Sequence, residues 1–218
     1  MSDDELYKKL SAELDVIRDE VVSLRVKQHM FWELQKIVGA NPNINVANEF
    51  YDWIEEIYAT SMSVAIRRQT DRTKNTVSFW RFLEQVERRP SVVTRNRYST
   101  LFINSSVNVI NADFDSLVGP GRDQIDALEV KRDRDALEGK CDVLEGYANT
   151  WVAHRANGAV HVLTSLRDID EAIEGVEVLL KKYLHLFRSE IVLDSLLPTL
   201  IGNWKAIFRV PWIAPPSH

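Results

Sequence analysis

Residues 4–38 read DELYKKLSAELDVIRDEVVSLRVKQHMFWELQKIV. Apolar side chains recur through Leu6, Leu10, Leu14, Ile17, Val21, Leu24, Met30, Phe31 and Leu34, a spacing that lines one face of an α-helix. The pattern predicts a single helix from about Asp4 to Val38, stopped by Gly39, Asn41 and Pro42. A stripe this long has to be covered, because most helical stability in a protein comes from packing the apolar face. The stretch therefore sets the fold class as α-helical, with further helices around this one.

The rest of the chain supplies them. Asn45 or Asn48 can cap a second helix. Its stripe Phe50, Ile54, Ile57, Ser61, Val64, Arg68, Asp71 alternates steps of four and three, with Met62 and Ile66 widening the apolar surface. That helix is expected to be central, with Arg68 and Asp71 facing inward, desolvated and in need of partners. A turn over residues 71–76 leads to a short helix through Trp80, Leu83 and Val86, ended at Arg89-Pro90 because a residue before proline disfavours helical geometry. A small fourth helix follows over 91–101. Residues 104–122 collect asparagine, serine, aspartate, glycine and proline and read as a loop, with two hydrophobic dipeptides able to form a short extended piece.

From Asp123 a long helix is expected to run to Arg155, with a seam at Leu137, Cys141, Leu144, Ala148, Trp151 and Arg155. Its stretch 129–135 is charged all round, which predicts that it projects past its neighbours or meets another subunit. Another helix covers Ile169 to Phe187, and a short one is expected around 198–208, before Pro211, Pro215 and Pro216. Short connections make consecutive helices antiparallel. The reading is one all-α domain over 1–218, an antiparallel bundle with one long helix, a 104–122 loop and a 191–218 C-terminal helix and tail.

Hydrophobic residues make up 45% and charged residues 27%, values that support neither a disordered nor a fibrous chain. The acidic start (Asp3, Asp4, Glu5) is no secretion signal, and no segment has about 18 uninterrupted apolar residues. One cysteine, Cys141, permits no intrachain disulfide. A cytoplasmic protein without a membrane partner is the expectation. The net charge of -5 is uneven: residues 67–97 hold nine basic and three acidic side chains, so that segment is +6 and the remainder -11. A polyanion can be drawn to such a segment locally, or its arginines can be spent on structural ion pairs.

No histidine pair has the spacing of a helical zinc site, so no metal centre and no cofactor is expected. His154 stands out by context, sharing a helix face with Tyr147 and lying beside Arg155, which gathers a phenol, an imidazole and a guanidinium at one helix end. A buried histidine hydrogen-bonded inside the bundle is the plainer alternative. The second cluster is Arg67, Arg68, Asp71 and Arg72. Arg67 can pair with Asp71 at i, i+4, and a planar guanidinium suits bidentate phosphate recognition, which favours Arg68 as an anion ligand.

The runs Ile66-Arg67-Arg68-Gln69-Thr70-Asp71, Val77-Ser78-Phe79-Trp80-Arg81-Phe82-Leu83 and Tyr147-Ala148-Asn149-Thr150-Trp151-Val152-Ala153-His154-Arg155 resemble the HEPN superfamily, nearest its abortive-infection branch, over roughly residues 30–190. The resemblance implies a helical bundle, a homodimer, and a place in a prokaryotic phage-defence or toxin–antitoxin system with an antitoxin partner protein. Many members cut RNA without a metal, using an arginine, four to six further residues and a histidine. Here His154 matches, while Tyr147, Ala148 and Asn149 occupy the arginine positions. Two functions follow. In one, a metal-independent ribonuclease uses His154, with Tyr147 and Asn149 nearby, for the proton and Arg155 or Arg68 for the phosphate charge. In the other, a non-catalytic module of the same fold binds a nucleotide, an RNA or a protein at Arg67, Arg68, Asp71 and Arg72.

Overall fold

The computed structural model describes residues 1–103, 105–148, 165–200 and 202–212. Helix α1 spans Asp3–Gly39, within a residue of the expected bounds at each end. Ser2 and Glu5 close a capping box at its start, the Ser2 hydroxyl accepting from the Glu5 amide and the Glu5 carboxylate accepting from the Ser2 amide. Leu6, Leu10, Leu14, Ile17, Val21, Leu24 and Phe31 are buried, as the spacing predicts, whereas Met30 is exposed.

The other helices are α2 (Glu49–Gln69), α3 (Phe79–Arg88), α4 (Arg95–Ser99), α5 (Val107–Val118), α6 (Ala127–Tyr147) and α7 (Leu166–Arg188), with 3-10 turns at Pro90–Val92 and Trp204–Arg209. Side-chain pairs give the directions. Phe31 stacks on Tyr58 and Gln69 donates to Glu20, so α2 runs antiparallel to α1. Tyr7 donates to the Phe187 carbonyl and Trp32 donates to Asp170, so α7 is antiparallel to α1 as well. Lys182 meets Asp133 while Gly175 meets Lys140, which sets α6 antiparallel to α7. Trp80 donates to Glu138 and Arg134 pairs with Glu87, which sets α3 antiparallel to α6. The bundle is all-α, and its centre is aromatic: Phe79 and Phe82 meet Tyr183 edge-on at 6.0 and 5.4 Å, and Phe82 meets Phe187 at 5.3 Å.

Three expectations are corrected. Residues 107–118 are a helix: Ile110, Phe114 and Val118 point into the core at steps of four, Asn111 and Asp115 bond Arg95, Asp113 bonds Tyr98, and Asn108 and Ser116 are left exposed. The extended piece lies elsewhere, as an antiparallel bridge between Thr94 and Gln124, where the Arg95 amide donates to Asp123 and the Ile125 amide to Val93. That bridge holds residues 123–126 out of helix, so α6 begins at Ala127 with Asp126 as its cap.

The stretch 129–135 does not project. Val130 is buried, and Lys182 sits between Glu129 at 2.6 Å and Asp133 at 2.8 Å. The Tyr183 hydroxyl also donates to Asp133, and Arg134 pairs with Glu87 at 2.5 Å. Its charges find opposite charges on α7 and α3, which is why a segment polar all round can pack.

The third correction is to α2. Its inward stripe is Tyr58, Met62, Ile66 and Gln69, so the predicted seam lies on the other side. Phe50 and Ile57 are exposed, and so are Ser61 and Arg68. At the C-terminal end a short helix is expected around 198–208, and a 3-10 turn occupies 204–209. Among the described residues no helix is long and apolar enough to cross a membrane.

Candidate nucleic-acid interface

Helix α2 ends at Gln69, where Thr70 leaves helical geometry and its amide bonds back to the Arg67 and Arg68 carbonyls. The Thr70 hydroxyl lies 3.1 Å from both the Arg67 carbonyl and the Glu145 carboxylate of α6. Gln69 and Thr70 are therefore the buried polar residues of this end, and Arg67 and Arg68 are exposed. Arg68 is not desolvated, contrary to expectation. Its side chain keeps 65% of its surface and approaches Glu20 only at 4.0 Å. Asp71 is partly buried and turns back on its own chain, where its carboxylate accepts from the Thr73 amide at 2.8 Å. Burial raises the Asp71 pKa, but the Thr73 hydrogen bonds and the Arg67 charge outweigh it and hold the carboxyl below its usual range. No ion pair within 4.0 Å joins Arg67 to Asp71 among the described residues, because the helix stops before the i+4 position is reached.

Arg67, Arg68, Thr70, Asp71, Arg72, Thr73 and Glu145 line one depression of about 410 Å³. The four residues expected to bind an anion are thus together. Asp71 and Glu145 line it beside the three guanidiniums and Glu138 pairs with Arg72, so charge in the site is close to balanced and the exposed positive charge stands on Arg67 and Arg68. Arg72 is the most tightly positioned of the three. It pairs with Glu138 at 3.1 Å and lies over the Trp80 ring at 5.3 Å, while Arg134 lies 4.9 Å from the same ring. Glu138, Glu145, Thr70 and Trp80 are parts that the sequence reading did not assign to this site. The step of seven between Glu138 and Glu145, flanking the α6 seam, is the signal that places both on one face.

The remaining arginines of the +6 segment are held in ion pairs. Arg81 and Arg88 both pair with Glu84, Arg89 approaches Asp3, Arg95 pairs with Asp115 at 2.5 Å, and Arg97 pairs with Asp4. The local excess is largely neutralised by acids from distant parts of the chain, and the depression at the end of α2 retains what is left.

Of the residues expected to be catalytic, Tyr147 is half-buried in the last turn of α6. Asn149, His154 and Arg155 lie outside the described residues. A second polar row joins Tyr98, Asp113 and His185: the Tyr98 hydroxyl donates to Asp113, and His185 Nε2 lies 2.9 Å from the same carboxylate oxygen. Burial and the Asp113 charge raise the Tyr98 pKa, so the phenol stays protonated. Among the described residues no three histidine, cysteine, aspartate or glutamate side chains converge as a metal site. Comparison with protein-family models, with curated proteins and with solved structures finds no match.

Proposed function

We propose that the protein is an RNA-binding helical module of a prokaryotic phage-defence or toxin–antitoxin type system, and that it takes RNA phosphates on Arg67, Arg68 and Arg72. One observation carries the binding site. Arg67 and Arg68 stand exposed at the end of α2 while most other basic residues of their segment are tied up in ion pairs. The defence setting rests on the HEPN resemblance alone. Arg72, fixed by Glu138 and Trp80, gives the site a pre-oriented fork for phosphate. The nearby carboxylates of Asp71 and Glu145 weaken anion binding and favour a ligand that spans several phosphates over a lone anion.

The test is fluorescence anisotropy with a labelled single-stranded RNA. The Arg67→Ala/Arg72→Ala double variant is expected to bind roughly tenfold more weakly or worse, since each charge-assisted phosphate contact contributes about 1 kcal/mol or more. Equal affinities for the wild type and the double variant would refute the site.

A second reading is that bound RNA is also cut, without a metal, using His154. What favours it is position along the chain: Glu145 lines the depression, and Tyr147 and Ala148 lead directly into Asn149–Arg155. Expression of the wild type in bacteria would then slow growth and fragment RNA, and His154→Ala would not. If both chains are harmless and neither cleaves RNA in vitro, the protein binds without cutting.

A further inference from the structure

After α7 the chain turns back along that helix and then crosses α1, and its hold on the bundle changes at Leu196. Up to that point it is anchored: Glu190 pairs with Arg18 at 2.9 Å, Lys181 donates to the Asp194 carbonyl, and Leu196 is buried with its amide on the buried Glu177 carboxylate. Beyond Leu196 no described residue is buried. Among the described residues, the only hydrogen bond or ion pair that joins residues 198–212 to the helices is the one from Lys205 to Glu33. Two depressions of about 210 and 340 Å³, both lined by His29 and Leu197, lie where the stretch crosses α1, so its packing there is incomplete. The remaining hold is aromatic. Trp204 and Phe208 stand partly exposed in the wall of an apolar groove of about 510 Å³, whose other walls include Met30 and Leu34 of α1 and Trp53 and Ile57 of α2. The two rings also meet each other edge-on, and Phe208 stacks on Trp212, so the turn keeps much of its apolar contact within itself.

We propose that residues 202–212 are a latch, hinged at Gly202, that closes the groove between α1 and α2 and swings off it while the bundle stays folded. The ease of local opening is set by the contacts a segment must break, and here they are one exposed ion pair and two partly exposed rings. The ion pair parts without stranding a charge. Glu33 gives one carboxylate oxygen to Lys205 and the other to Lys36, so Lys36 still neutralises it when the latch leaves. Glu177 is the contrast: it is buried, and withdrawing the Leu196 amide would leave its carboxylate short of a donor, which stops the opening at Leu196. Gly202 supplies the turning point. Its φ is +98°, and nothing lies within 4 Å of where a Cβ would stand, so no packed side chain restrains the backbone there. Opening bares Met30 and Leu34 to solvent and leaves Arg67 and Arg68, at the C-terminal end of α2, untouched. Latch and RNA site are therefore separable.

Thiol labelling of the full chain under native conditions tests the latch, because the protein carries its own control. Cys141 is buried in the core and reports opening of the bundle, while Leu34→Cys places a second thiol in the groove that Trp204 and Phe208 share. The groove thiol is expected to react much faster than Cys141. Adding Lys205→Glu, which sets like charges together at Glu33, is expected to speed the groove thiol about fivefold or more. Cys141 labelling and the thermal midpoint are expected to stay unchanged. Adding Glu33→Lys as well restores opposite charges and is expected to return the rate to within about twofold of its starting value. Equal rates for the two thiols, a groove rate that Lys205→Glu leaves unchanged, or a rate that the charge swap does not restore would each overturn the proposal.

Discussion

At the scale of the residue, Glu177 shows how a buried charge organises its surroundings. The carboxylate is almost fully buried, accepts the Leu196 amide, pairs with Arg25 and lies 3.4 Å from Lys181. Burial pushes its pKa up, but the Leu196 hydrogen bond and the charges of Arg25 and Lys181 outweigh it, and the folded value is lowered. A lowered folded pKa contributes stability that is present above the unfolded carboxylate range, about 4.3, and lost as pH falls through the folded value. Glu177→Gln keeps the shape and removes the charge, leaving Arg25 without its partner. Its expected cost at neutral pH is about 3 kcal/mol, shrinking in acid. Urea denaturation at neutral and acidic pH checks this, and an equal loss at both would contradict it. The same scale explains why the state of Arg68 could not be read from the chain. Its spacing fits a stripe, but which of two stripes faces the core depends on Met62 and Ile66 being better filling than Ile57 and Ser61.

Among the elements, α5 separates composition from pattern. The stretch is rich in asparagine and aspartate, yet Ile110, Phe114 and Val118 keep helical spacing, Leu117 packs beside them, and Asp113 and Asp115 are taken up by Tyr98 and Arg95. Gly119 ends it with φ +94° and ψ 148°, a conformation nearly confined to glycine. A Cβ there would also sit 3.3 Å from Arg122 Nε. Gly119→Ala is expected to cost about 1–3 kcal/mol by thermal denaturation. A change within about 0.5 kcal/mol, the range of neutral surface substitutions, would show that the turn adapts. In α6, by contrast, the seam of Leu137, Cys141, Leu144 and Ala148 is buried as its spacing predicts. Its charged turn misled because ion pairs with Lys182 and Glu87 are contacts between distant parts of the chain, which no local pattern encodes.

Over the whole molecule, the bundle was legible because its long helices carry unbroken apolar stripes, α1 and α7 above all. The candidate site was legible only in part. Four of its residues lie together in sequence at Arg67–Arg72, whereas Glu138, Glu145 and Trp80 reach it from α6 and α3 through tertiary packing. The +6 segment likewise overstated the basic surface, since acids such as Asp3, Asp4 and Asp115 meet its arginines in the fold. What remains of that charge at the end of α2 is the central claim, and the salt dependence of RNA affinity tests it most directly. If Arg67, Arg68 and Arg72 each neutralise one phosphate, log affinity for single-stranded RNA falls with log salt at a slope of about -2, and at about -0.7 once Arg67 and Arg72 are alanine. Slopes that match in the two proteins, or no RNA binding at low salt, would contradict the account.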